Sequence, residues 1–269
     1  MGAPSRAGLQ VCPDAILTLR LSMRHSTRYR LNTFFSSSNF PKGVKWLLIS
    51  NTAVFVLIYL AHQAGFGDVF GPLALVPRLV VYHFAIWEFV TYLFLHGGAM
   101  HLIVNMLVLW MFGATLERDW GTRRFLKYYF LCGIGAGLCD VTVNALLGHW
   151  YTSTIGASGA IYGVLLAFGV LYPEGIILFL FIFPIQAKFF VMIVAAIALL
   201  ESLNVNSGVS NVAHLGGMLF GLLYLKVRFP KVDSYELRRW YRDYKLKRAK
   251  KKFQVYMRKH NSGRGPWVN

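Results

Sequence analysis

Charge is scarce in this chain. Only 14% of its 269 residues are Asp, Glu, Lys or Arg, where a soluble domain carries about 25%. That deficit argues against a water-soluble globule. Hydrophobic residues make up 56% of the chain, and the mean hydropathy is +0.48, which places it in the membrane class. Cysteine is equally sparse, with only Cys12, Cys132 and Cys139. The last two lie on one predicted helix, seven positions apart, so they cannot bridge without breaking it. We therefore expect no disulfide and no metal site. No stretch has the pattern of a cleaved signal peptide. The first apolar run, residues 46–60, lacks a small-residue cleavage site and is followed by further apolar segments. Residues 1–22 carry no recognisable pattern. Met23 is an alternative start that would leave 1–22 untranslated, and an Arg- and Ser-rich organellar presequence is the rival reading.

The charge that is present is basic and sits at the ends. The net charge is +17, from 28 Lys and Arg against 11 Asp and Glu. Seven basic residues precede position 46 and fifteen lie from Lys226 onward, leaving six for the whole middle. Basic ends around an apolar middle predict two tails on the same, cytoplasmic side. Attraction to anionic lipid accounts for those charges without a nucleic-acid partner, and none is expected. The stretch 233–260 mixes Tyr235, Trp240, Tyr244 and Phe253 with many Lys and Arg. It reads as a basic amphipathic helix lying on the inner surface.

Six apolar runs have the composition of membrane spans. They cover about 45–63, 101–116, 125–147, 158–172, 189–203 and 212–225. The connection 64–96 is rich in Gly, Pro and aromatic rings and fits a loop lying in the interface. The loop 117–127 holds four of the six middle basic residues and is expected inside, whereas 148–156 holds none and is expected outside. Residues 176–184 are too short to span and suggest an interfacial hairpin. Gly133, Gly135 and Gly137 give the third span a small face suited to close helix contact. Six spans return the chain to its starting side, in agreement with the basic tails.

Two residues inside this apolar setting carry chemistry. Ser158 stands in Gly156-Ala157-Ser158-Gly159, at the start of the fourth run. Free N–H groups and the positive helix end there favour a developing anion, yet Ser is also an ordinary helix-start residue. His214 lies 56 positions later, in the sixth run. An ionisable group in a membrane helix is costly and marks a functional position; the bland alternative is a histidine bonded to a backbone carbonyl. Gly217 and Gly221 share the His214 face, and Gly159 and Gly163 form a matching small face on the fourth run. Such faces let two backbones approach closely enough for a serine–histidine hydrogen bond. His101 and Asn105 are four apart at the top of the second run, where they could donate to an oxyanion or simply bond a neighbouring helix. His96 is read as an exposed loop histidine.

The run Thr91–Met106, TYLFLHGGAMHLIVNM, resembles the second-helix signature of the rhomboid family of intramembrane serine proteases. Gly156-Ala157-Ser158-Gly159-Ala160-Ile161-Tyr162-Gly163 resembles that family's nucleophile motif, and Ala213-His214-Leu215-Gly216-Gly217-Met218-Leu219-Phe220-Gly221 its sixth-helix histidine motif. The resemblance covers about residues 43–228. It implies an all-α membrane protein, a bundle of six transmembrane helices with a long interfacial loop between helices 1 and 2. The flanking segments 1–42 and 229–269 would be basic cytoplasmic tails. It implies Ser158 as nucleophile and His214 as general base in a dyad that requires no aspartate. It further implies His101, Asn105 and the Ser158 N–H around the oxyanion and Tyr162 against the histidine; Gly156, Gly159, Gly163, Gly217 and Gly221 are read from the residues themselves as supporting positions. Glu117 resembles the family's acidic residue after the second helix, but Asp119 stands where many members have arginine. The implied activity is cleavage of transmembrane or membrane-adjacent segments of membrane proteins, with no metal or cofactor. Its substrates would be transmembrane proteins. From the short chain and its basic tails we expect a bacterial inner membrane with both termini cytoplasmic. The alternative is a catalytically silent relative that escorts transmembrane segments; such relatives generally lack the serine or the histidine. A small transporter is a further rival, but His101 and His214 map near one membrane face and do not line a path.

Overall fold

Helix α1, Lys42–Gln63, begins three residues before the apolar run that announces it. Its N-cap, Pro41, supplies no side-chain cap. The cap comes from far along the chain: the Glu117 carboxylate accepts the Gly43 and Val44 N–H groups, each at 2.7 Å. These are two of the donors that any helix start leaves unpaired. A Cβ on Gly43 would stand 3.0 Å from a Glu117 oxygen, so glycine is what admits the carboxylate. The computed structural model describes residues 40–179, 182–202 and 211–228.

The connection after α1 is a set of short helical turns. A 3₁₀ segment, Gly67–Leu73, leads to α2, Pro77–His83, and α3, Glu88–Thr91, followed by the 3₁₀ turn Tyr92–Phe94. Pro77 opens α2 at the position where a missing N–H costs nothing. Large apolar and aromatic side chains are exposed along it, among them Phe66, Tyr82, Phe84, Ile86 and Trp87. The next helix, α4, runs Ala99–Trp120 and widens to a π turn at Leu109–Gly113. It extends four residues past its expected end because the charges there have partners. Glu117 is held by α1 and by the Thr122 hydroxyl at 2.6 Å, and Asp119 accepts the Tyr172 hydroxyl. Gly121, at φ +77°, then lets α5, Thr122–Leu146, start at once.

Helix α6, Ser158–Leu171, follows a loop and is nearly all core. A two-stranded antiparallel hairpin comes next, β1 Ile176–Phe179 paired with β2 Phe183–Gln186, in the register Ile177 to Ile185. It corresponds to the expected hairpin at 176–184 and reaches two residues further. Helices α7, Ala187–Ser202, and α8, Asn211–Arg228, complete the described residues. The outer loop expected at 204–211 falls almost wholly outside them, and the amphipathic tail helix expected at 233–260 falls wholly outside.

By length and composition α1, α4 and α5 are each able to cross a membrane, and α6 and α8 are shorter apolar helices. The chain is thus a mostly helical membrane protein. Its centre is the contact of α5, α6 and α8, and glycine makes that contact close. A Cβ on Gly163 would sit 2.5 Å from the Cys132 sulfur, and one on Gly216 2.7 Å from the Cys139 Cβ. Gly135 of the small-faced third span receives the Phe220 ring, and Gly133 the Leu93 side chain. Cys132 and Cys139 are both free thiols.

Candidate active site

Ser158 is the first residue of α6, and the residue before it, Ala157, offers no side-chain cap. The Ser158 hydroxyl is turned to His214: Oγ and Nε2 are 2.8 Å apart. Ser158 is thus at once the first residue of its helix and the partner of the His214 ring, whose Nε2 faces a hydroxyl and not a backbone carbonyl. His214 Nδ1 has no hydrogen-bond partner among the described residues. If the Ser158 hydroxyl donates to Nε2, the ring proton is on Nδ1. The imidazole plane is held by Tyr162, one turn into α6. The two rings stack with centroids 4.1 Å apart and planes within 3°.

The spacing of the pair follows from glycine. A Cβ on Gly217 would fall inside the Gly159 carbonyl, and one on Gly159 would stand 2.5 Å from Ala136 Cβ and 3.4 Å from the Ala213 oxygen. The α6 and α8 backbones are therefore in contact one residue from the serine and three from the histidine. Gly163 also faces this seam, 3.1 Å from the Gly217 oxygen by the same measure. Gly221 differs from the expectation that it meets α6. It lies against the Tyr128 hydroxyl and Cys132 of α5, because α8 packs into the angle between two helices and turns successive glycines to each.

The approach to the serine is a bent strand of loop. Gly156 has φ +121°, a conformation that side-chain-bearing residues rarely adopt. A Cβ there would also strike the His101 ring at 2.9 Å. His101 thus lies directly against the residue two before Ser158. Asn105, one turn below on α4, is buried, and its Nδ2 has no hydrogen-bond partner among the described residues. An unsatisfied buried amide donor is costly, and an oxyanion is the kind of group it would satisfy. His96 is not exposed as expected. It is buried, edge-on to His101 with ring centroids 5.0 Å apart. Burial, with the His101 ring beside it, pushes the His96 imidazole down to about 4. Among the described residues no cluster of His, Cys, Asp or Glu is arranged to hold a metal.

Sequence reasoning missed the groups that hold the loop from behind. Gly156 N–H donates to the Tyr92 carbonyl at 2.9 Å, and the Tyr92 hydroxyl donates to the Gly133 carbonyl at 2.7 Å. Asp140 of α5, fully buried, accepts the Thr154 hydroxyl at 2.8 Å. A lone carboxylate in an apolar helix was the available signal for Asp140; nothing local distinguishes Tyr92 from its many aromatic neighbours.

A helical membrane protein that seats a Ser–His pair at the ends of two glycine-tight helices belongs to a narrow class. The Rhomboid domain family model matches residues 83–231, more than half of the chain. The chain belongs to the rhomboid family. It is 35% identical over 153 residues to "Rhomboid-like protease 5" of Toxoplasma gondii, covering 55% of this chain and 16% of that one. It is 36% identical over 135 residues to "Rhomboid protein 1, mitochondrial" of Saccharomyces cerevisiae, covering 49% and 38%. It is 28% identical over 174 residues to "Rhomboid protease GlpG" of Haemophilus influenzae, covering 64% and 85%. The chain thus spans well under half the length of the first two relatives and most of the third.

Proposed function

We propose that this protein is an intramembrane serine endopeptidase that cleaves transmembrane or membrane-adjacent segments of other membrane proteins. The observation that carries the reading is the 2.8 Å contact between Ser158 Oγ and His214 Nε2. In the proposed reaction His214 Nε2 takes the Ser158 proton as Oγ attacks the scissile carbonyl carbon. The oxyanion is met by the Asn105 amide, the His101 ring and the Ser158 N–H. His214 then hands its proton to the leaving amine, and water, deprotonated by the same ring, releases the acyl group. Membership of a family with named proteases supports this reading. The escort alternative is disfavoured by a serine and a histidine that are both present and in contact.

The proposed topology has α1, α4, α5, α6, α7 and α8 each crossing the bilayer. Residues 43–228 form the protease unit, and 1–42 and 229–269 are basic tails facing anionic lipid on the inner side. Helix α6 has 14 residues. At about 1.5 Å per residue it spans roughly 21 Å, less than a hydrocarbon core of about 30 Å. Ser158, at its outer end, would lie below the membrane surface, reached by water from the outer side past the loop 148–156. The relatives are eukaryotic and mitochondrial as well as bacterial, so a bacterial inner membrane is one of several membranes they fit.

Purified protein in liposomes should cleave a test transmembrane substrate, and Ser158→Ala and His214→Ala should each abolish cleavage. Survival of cleavage in both would overturn the dyad. Asn105→Ala should lower kcat by about 10²-fold, the usual cost of one oxyanion donor, with KM nearly unchanged.

A further inference from the structure

The loop that delivers Ser158 is tied down by three sets of bonds, at Thr154 and Gly156. Thr154 pairs with Leu75 by two backbone bonds, Leu75 N–H to the Thr154 oxygen at 3.0 Å and Thr154 N–H to the Leu75 oxygen at 2.9 Å. Gly156 N–H is held by the Tyr92 carbonyl at 2.9 Å. The third tie is the only one of these made by a side chain of the loop: the Thr154 hydroxyl donates to Asp140 Oδ2 at 2.8 Å. The other oxygen, Oδ1, accepts the Asn144 amide at 3.0 Å, one turn further along α5. Asp140 has no exposed surface and Thr154 is 7% exposed. A carboxylate taken out of water is expensive unless it is bonded, so a buried acid with these partners fixes them in place.

We infer that Asp140 is a positioning residue for Ser158, acting through Thr154. Helix α5 is a central element of the bundle, packed closely against both α6 and α8. Asp140 projects from this fixed frame to the loop four residues before the nucleophile. The intervening turn, with Gly156 at φ +121°, is short and its glycine is confined by His101. A displacement of Thr154 is therefore passed on to Ser158 Oγ, whose 2.8 Å contact with His214 has little tolerance. A 1 Å misplacement of a reacting group costs on the order of 10²-fold in rate. The inference rests on Ser158 being the nucleophile.

Thr154→Val and Thr154→Ser separate the hydroxyl from the shape. Each is measured, with Asp140→Ala and the double variant Asp140→Ala/Thr154→Val, for fluorophosphonate labelling of Ser158, for kcat and KM on a transmembrane substrate, and for thermal unfolding. Absence of labelling in the unsubstituted protein would sink the nucleophile itself, and this inference with it. With labelling present, Thr154→Val is expected to lower both the labelling rate and kcat at least tenfold, with KM within twofold and unfolding above the assay temperature. Thr154→Ser is expected to recover most of that loss, and the double variant to be no slower than Asp140→Ala alone. The inference is overturned if Thr154→Val stays within twofold of the unsubstituted protein, if its loss follows the unfolded fraction, or if the two substitutions multiply. Should Asp140→Ala fail to fold, the two Thr154 variants decide alone.

Discussion

Helix α1 buries four of its 22 residues, and helix α6 buries nine of its 14. Both are apolar, so composition does not explain the contrast. Small residues do. Helix α6 carries Gly159, Ala160, Gly163, Ala167 and Gly169, all buried, and neighbouring helices come within van der Waals reach of its backbone. Helix α1 presents Val56, Leu57, Tyr59 and Leu60 outward along its second half, and it is joined to the bundle chiefly at its first turns, where Glu117 caps it. In a bilayer, lipid tails are as apolar as leucine, so a helix is drawn inward by close packing and polar bonds and not by hydrophobicity. The Ser158–His214 pair sits on the glycine-rich helices, where geometry is least adjustable.

The largest effect should come from filling the central seam. Gly217→Val would drive a side chain into the Gly159 carbonyl, a backbone group that cannot turn aside, so the two helices would have to separate. Loss of both fold and Ser158 labelling is expected, and near-normal labelling would break the contrast between centre and periphery. Next comes the α1 cap. Glu117→Ala removes two buried bonds to α1 N–H groups and one to Thr122, at about 1–3 kcal/mol for each group left unsatisfied. A large drop in unfolding temperature, with labelling retained in the folded fraction, would separate the peripheral helix from the site.

A smaller effect is expected with pH. The His96 imidazole is held down at about 4 against an ordinary 6.5. Its contribution to stability is complete above the ordinary value, because both states are then neutral. As pH falls from 6.5 toward 4 the unfolded chain takes up a proton that the folded one refuses, and stability declines. Unfolding followed over that window should therefore slope downward into acid, and His96→Gln should flatten part of the slope. The smallest effect belongs to the outward face of α1, where Leu57→Ala or Leu60→Ala should change stability by less than about 0.5 kcal/mol. A cost of several kcal/mol there would mean that this face has a protein neighbour.

The helices were legible because long apolar runs are a local signal, whereas the spacing of Ser158, His214 and their glycines was weak by itself and the pairing was read from the motif resemblance. What escaped notice was set by residues far apart in the chain. Helix α1 starts early because of a carboxylate 73 positions away, and α4 ends late because Asp119 finds Tyr172. His96 is buried by the fold of a loop whose aromatic composition reads equally well as exposed. Gly221 was assigned to the right face of its helix but to the wrong neighbour, since a single helix cannot reveal how many partners it has. Thr154 carries no signal until the Asp140 carboxylate is placed beside it.

The ring of Tyr162 beneath His214 has a consequence for the reaction proposed above. In that reaction the imidazole would gain a proton, and its Nδ1 has no acid bonded to it among the described residues. The face of an aromatic ring is a pool of electron density, and a cation over it is favoured by about 0.5–2 kcal/mol. At 4.1 Å and nearly parallel, the phenol is placed to steady the imidazolium as it forms and to release it unhindered when the proton moves on. A counter-ion of fixed charge would grip the proton; a polarisable surface only lends it a resting place, which suits a base that must give its proton away again within the same turnover.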